Sequence, residues 1–444
     1  MNTRVNSSNS YGFFSVMSER SLPKKPKRKK IKAFAKIILI IILFGFILYL
    51  FIDYSGFNTK ILSDDLYQRI LDSYDNLYTY ADIIDHLTNF HIFLIFFIFG
   101  FCLWNIYKSF IHILGFFILD LIIFILKLIF RKKAKILSIN LKDINLSPES
   151  INSLCEFTSE YECPSYRAAY VIYSYMSFIC LLFKEKKLRN KKMVKICSKI
   201  FFSLICIFLN VSLIFLLQST VGSILIGSGI GFIIYFFMFS LLKIDYDRSE
   251  QMISLLNFNI FYYLLINIGV VAIILFLHFF LDIDDGEKQE FMELCGETFY
   301  KFKEMNLETI FKSLFFFCNL TMIICLKLQK KFIFHSDGIF KSRNFNVEEI
   351  ADENNLIAQI KNEETLKFNT KHIVKYLCKV LICFGIALIA YLLYQIIKDF
   401  RDENYVIMSF LMYLLPTNFL IIFLFFFSKW IFVSLDLELY SYQD

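Results

Sequence analysis

The chain has 444 residues, of which 57% are hydrophobic, with a mean hydropathy of +0.56 and a formal net charge of +7. A soluble domain of this size does not need so much apolar content, so an ordinary soluble enzyme is excluded. The charges gather between apolar runs, where they set orientation in a bilayer, and do not point to a nucleic-acid partner.

The 11 cysteines show no paired metal spacing. Most sit inside apolar runs, where a thiol behaves as a small hydrophobe. No Walker loop, zinc-ligand set, His-Glu-x-x-His motif or Rossmann fingerprint is present, so neither a cofactor nor a metal is implied.

Residues 1–33 form a basic tail that carries the run Pro23 to Lys30. Next to an apolar run, such a cluster reads as a cytoplasmic anchor that also touches anionic lipid. Runs near the roughly 20 residues needed to cross a bilayer then follow. They are Phe34 to Ile52, Phe90 to Tyr107, Phe110 to Phe130, Ala168 to Phe183, Ile200 to Leu217 and Val221 to Leu242. Lys108 marks a short turn between the second and third. Further runs are Phe258 to Leu281, Ile310 to Leu326, Val374 to Ile397 and Tyr405 to Val433. The expectation is an all-α, polytopic helical bundle of about ten spans. Residues 34–242 would form a first membrane region and residues 243–444 a second, with a cytoplasmic loop at 327–373.

The basic segments 184–199, 243–257 and 327–375 place the amino terminus in the cytoplasm. Segments 53–89 and 282–309 are acidic and fall on the opposite side. One basic cluster, Arg131 to Lys135, also lands on that opposite side. Either it is a local exception, or it is kept there to hold an anion.

Three short motifs share that side. Lys127 to Lys135 ends the third run, Cys163-Pro164-Ser165-Tyr166-Arg167-Ala168 opens the fourth, and Ser212 to Thr220 leads into a sixth run that carries Gly227 and Gly231. This arrangement resembles the six-span core of the type 2 phosphatidic acid phosphatases, with the closest look to the dolichyl-diphosphatase branch. The resemblance covers residues 34–242 and leaves four extra spans.

In that family the first motif supplies a Lys and an Arg-Pro for phosphate. Lys127 matches the Lys, Ala134 and Lys135 replace Arg-Pro, and Lys133 and Lys135 still offer charge. The second motif is Pro-Ser-x-His. Pro164 and Ser165 match, and Arg167 replaces the histidine that protonates the leaving group. The third is Ser-Arg followed by a nucleophilic His. Ser212 matches the Ser, Leu213 replaces the Arg, and Ser219, followed by Thr220, stands where the nucleophile belongs.

The resemblance therefore implies a phosphate-binding set of Lys127, Lys133, Lys135, Ser165, Arg167, Ser212, Ser219 and Thr220, without a reaction. Arg cannot act as an acid near neutral pH, and Ser219 would need an adjacent base. His86 and His278 fall on the same side and are the remaining histidines in question.

The expected partner is membrane lipid, with a lipid phosphate or pyrophosphate as ligand, in the endoplasmic reticulum or a related membrane. The chain would bind such a lipid or act as a membrane scaffold. Two alternatives stay open: a divergent, active lipid phosphatase, and a transporter or channel of other ancestry lined by Asp120 and the later Asn residues. Cys155 and Cys163 precede the Pro-Ser in one loop, where an oxidising lumen would allow a disulfide, or leave two free thiols.

Overall fold

The computed structural model describes residues 78–88, 90–103, 106–130, 132–133, 161–182, 192–241, 259–280, 318–328, 370–399 and 405–435, with scattered single residues from 42 to 77 and from 147 to 155. The chain divides into two units, Met1–Leu48 and Tyr49–Asp444. In the first, only Ile42 and Gly45 to Ile47 are described, and they are helical. The elements that follow all belong to the second unit.

Helix α1 is Tyr78–Thr88, α2 is Phe90–Leu103 and α3 is Ile106–Phe130. A two-residue strand β1, Lys132–Lys133, pairs antiparallel with β2, Tyr161–Cys163. Then come α4 (Tyr166–Leu182), α5 (Lys192–Phe215) and α6 (Val221–Phe236), the last ending in a π-helical turn, Phe237–Leu241. The later helices are α7 (Ile260–Phe280), α8 (Cys318–Leu328), α9 (Thr370–Asp399), α10 (Tyr405–Ile422) and α11 (Ser428–Ser434). Between α10 and α11 lies a second π segment, Phe423–Phe427. Pro416 stands inside α10, where it removes one helix hydrogen bond.

Five of these helices are long and apolar enough to cross a membrane: Ser109–Phe130, Ile196–Phe215, Val221–Phe239, Ile260–Leu277 and Val374–Ile397. Shorter apolar helices are Ile92–Cys102, Cys318–Leu328 and Leu414–Phe427. The protein is thus helical, membrane-embedded and multi-pass. The expected first span lies almost wholly outside the described residues.

The expected fourth span is a helix, but of a different kind. α4 is 17 residues long, rich in Tyr and Ser, and buried at Arg167 to Val171, Tyr173 to Tyr175, Ser177, Ile179 and Leu181. Its neighbours, not lipid, surround it, so it has no need of an apolar surface. One other expectation changes. Lys108 lies within α3 and does not mark a turn. The polar stretch before residue 90 contains α1, a helix with Ala81, Ile84, Asp85 and Thr88 on its buried face.

α4 and α6 form the centre. A Cβ added at Gly227 would lie 2.2 Å from the Ser165 carbonyl oxygen, and one at Gly231 would lie 2.5 Å from the Ala169 oxygen. The glycines therefore let the two backbones touch, as small residues do between membrane helices. Around this pair, Ala81 and Ile84 of α1, Ile92 of α2, Val171 and Tyr175 of α4, and Cys206, Leu209 and Leu213 of α5 share one apolar cluster. The helices beyond residue 242 join the same body. α7 packs on α3 through Ile274 against Phe124 and Leu128, and α9 lies along α2.

Candidate functional site

The end of α3, the start of α4 and the turn before α6 meet at one end of the bundle. The β1–β2 pairing holds two of them together, since Lys132 pairs with Cys163 at the mouth of α4. The Cys163–Pro164 peptide bond is cis. Ser165 then caps α4, its Oγ accepting the Ala168 N–H at 3.4 Å, as expected of a serine before a helix.

The same Ser165 Oγ lies 2.8 Å from Ser219 Oγ, a contact between residues 54 apart in the chain. Both serines are buried, at 2% and 9% exposure. The turn that delivers Ser219 passes through Leu217, whose φ of 56° is left-handed. The carbonyl of Leu213 accepts the N–H groups of Gln218 and Ser219 at 3.0 and 3.3 Å and closes the end of α5, a helix ending of the Schellman type.

Glu162 and Ser223 lock the turn to β2. The Thr220 N–H donates to the Glu162 carboxylate, Ser223 Oγ donates to the Glu162 carbonyl at 2.8 Å, and the Ser165 N–H donates to the Ser223 carbonyl at 3.2 Å. A carboxylate at the amino end of α6 also suits the positive end of the helix dipole.

Arg167 points the other way. Its Nε and Nη2 lie 2.9 and 2.7 Å from Asp85 Oδ1 on α1. Both residues are buried. Tyr166 sits between two cations: Lys127 Nζ is 4.9 Å from its ring centre and the Arg167 guanidinium 5.0 Å. Such cation–ring contacts strengthen away from water. One turn on, the Tyr170 hydroxyl donates to Asp120 of α3. Deeper still, His112 of α3 is buried, with Nδ1 2.9 Å from Ser177 Oγ. Ionisable side chains at membrane depth are expensive and face the protein interior. Here α3 and α4 hold them between each other.

Of the eight residues expected to surround a phosphate, Lys127, Ser165, Arg167, Ser219 and Thr220 come to this end of the bundle. Ser212 does not join them, because its hydroxyl turns back onto the Phe208 carbonyl at 2.9 Å within α5. Lys133 is placed in β1, but its side chain and all of Lys135 lie outside the described residues. His86 is exposed one residue after Asp85, and the side chain of His278 lies outside the described residues.

The Cys155–Cys163 bond is not made. Cys163, buried in β2, forms no disulfide, whereas Cys155 is disulfide-bonded.

Two contributors escape sequence reasoning: Asp85 and Glu162. They are single acids in acidic stretches, and only the buried face of α1 and the β pairing select them. Gln218, as a polar residue in an apolar run, is expected to make an interhelical hydrogen bond, and here the structure differs. Gln218 is 8% exposed, and neither its Oε1 nor its Nε2 has a hydrogen-bond partner among the described residues. It adjoins Ser219. Each unpaired buried polar atom costs about 1–3 kcal/mol, so this amide suits a polar guest.

No metal-binding cluster of His, Cys, Asp or Glu occurs among the described residues. No family model, curated protein or solved structure matches the chain.

Proposed function

We propose that this chain is a multi-pass protein of the endoplasmic reticulum or a related membrane, with its amino terminus in the cytoplasm. In this reading its first six spans form a core like that of the type 2 phosphatidic acid phosphatases. That core holds a lipid phosphate or pyrophosphate without hydrolysing it. The observation that carries this reading is the 2.8 Å contact between the Ser165 and Ser219 hydroxyls. It joins the two stretches in which the resemblance seats the phosphate.

The neighbours suit binding. The buried amide of Gln218 adjoins Ser219, and the cation of Lys127 lies against Tyr166. Phosphate oxygens accept hydrogen bonds from such groups, and bonds to charged acceptors are the strong ones.

The same neighbours argue against hydrolysis. A covalent mechanism needs a nucleophile beside a base, and a proton donor for the leaving group. Ser219 is bonded to another serine. Arg167, in the donor's place, holds its proton and is engaged by Asp85. The disulfide at Cys155 supports an oxidising compartment on this face.

The test uses the full chain in nanodiscs containing phosphatidic acid or a polyprenyl diphosphate. Native mass spectrometry should find the lipid retained, and no inorganic phosphate should be released. Replacing both Ser165 and Ser219 by Ala should weaken retention at least about tenfold, since two bonds to a charged group are lost. Phosphate release abolished by Ser219→Ala would overturn the non-catalytic reading. Absence of retention would overturn the binding reading.

A second reading, a transporter, draws on His112, Asp120 and Lys127, all buried along α3. It requires solute or proton flux in proteoliposomes that Asp120→Asn removes.

A further inference from the structure

Away from the polar end, α2 and α9 form a seam with two sulfurs in it. The Tyr376 hydroxyl donates to the Phe99 carbonyl at 3.5 Å. The rings of Phe99 and Phe384 meet edge-on, 5.8 Å between centroids. Between these contacts, the sulfurs of Cys102 and Cys383 lie 3.6 Å apart, and both are free thiols.

Phe99 and Cys102 are neighbours on one face of α2, and Tyr376 and Cys383 share one face of α9. The aromatic contacts therefore set the register that brings the sulfurs together. A disulfide needs an S–S separation of about 2.05 Å. The two sulfurs stand about 1.5 Å beyond that length.

We propose that Cys102 and Cys383 are an oxidation site for a lipid-soluble, two-electron oxidant of the quinone class. Two S–H bonds break, one S–S bond forms, and the quinone takes both electrons and both protons to leave as the quinol. The surroundings select this oxidant: Cys383 is fully buried within the apolar span Val374–Ile397, where a water-borne disulfide has no access and a lipid-soluble oxidant does. The product fastens α9 to α2 across 281 residues of chain. It thereby ties the carboxy-terminal helices to the core.

The experiment takes the full chain in nanodiscs and adds a fully substituted benzoquinone, which cannot alkylate thiols. In parallel it adds glutathione disulfide. Free thiols are then blocked, and the digest is analysed by mass spectrometry. The expected result is a Cys102–Cys383 linked peptide with the quinone, removed by dithiothreitol. With glutathione disulfide its yield should be at least tenfold lower. Cys102→Ser and Cys383→Ser should each abolish it, and the wild-type result stands without either variant. Recovery of both cysteines as separate blocked peptides after quinone would overturn the site. Equal yield with glutathione disulfide would overturn the oxidant class.

Discussion

α4 and α5 are neighbours in the bundle and opposites in chemistry. α4 is enclosed, and along it or at its mouth lie Ser165, Arg167, Tyr170, Tyr173, Ser174 and Ser177, all buried. α5 shows Ile200, Phe201, Leu204, Ile207, Phe208, Val211 and Phe215 on its exposed side. In water the polar helix would be the outer one. In lipid the order inverts, because a polar group is tolerated only where the protein itself supplies its partners.

Four substitutions and one rescue probe that contrast, and the largest effect belongs to the α4–α6 contact. Gly227→Ala puts a methyl group 2.2 Å from a backbone oxygen. Backbone cannot swing aside, so the cost should exceed the usual 1–3 kcal/mol of overpacking. The expected readout is loss of the monodisperse protein in detergent.

Next comes Asp85→Ala, which takes the Asp85 carboxylate away from the buried Arg167 guanidinium. Breaking a buried ion pair costs about 3–5 kcal/mol, read as a fall in the thermal midpoint in nanodiscs. Arg167→Met in the same chain should recover part of that loss, since the buried charge that the carboxylate faced is gone.

Ser219→Ala removes one neutral hydrogen bond and should cost about 1 kcal/mol. Its larger signature is weakened retention of the lipid phosphate. The smallest effect is expected at Leu204→Ala on the exposed side of α5. There lipid replaces the lost side chain, and the midpoint should move by no more than about 0.5 kcal/mol equivalent. A large effect at Leu204 would mean that α5 is covered by a partner and not by lipid.

Much of the fold was legible from the apolar runs. Those opening near Ile200, Val221, Phe258 and Val374 became α5, α6, α7 and α9, because a long run without charge admits little else. α4 was legible as a helix but not as the enclosed one. Its tyrosines and serines lower its hydropathy, and their partners, Asp120 and His112, lie some fifty residues away or more. Of the candidate site, the meeting of Ser165 with Ser219 was legible only through the motif order of the family that the sequence resembles. Ser212 failed to join because a serine inside a helix can satisfy itself on the carbonyl one turn back. Asp85 was hidden for the opposite reason. It stands among several acids, and no local rule marks the one that an arginine 82 residues later will choose.

The most direct measurement is a cross-link between the two serine positions. The chain carrying Ser165→Cys and Ser219→Cys would be oxidised in nanodiscs and its digest analysed for the linked peptide. With the parent hydroxyls 2.8 Å apart, a 165–219 link is expected in most molecules, absent from either single variant. Two unlinked, alkylatable thiols at these positions would contradict the convergence on which the proposed site rests.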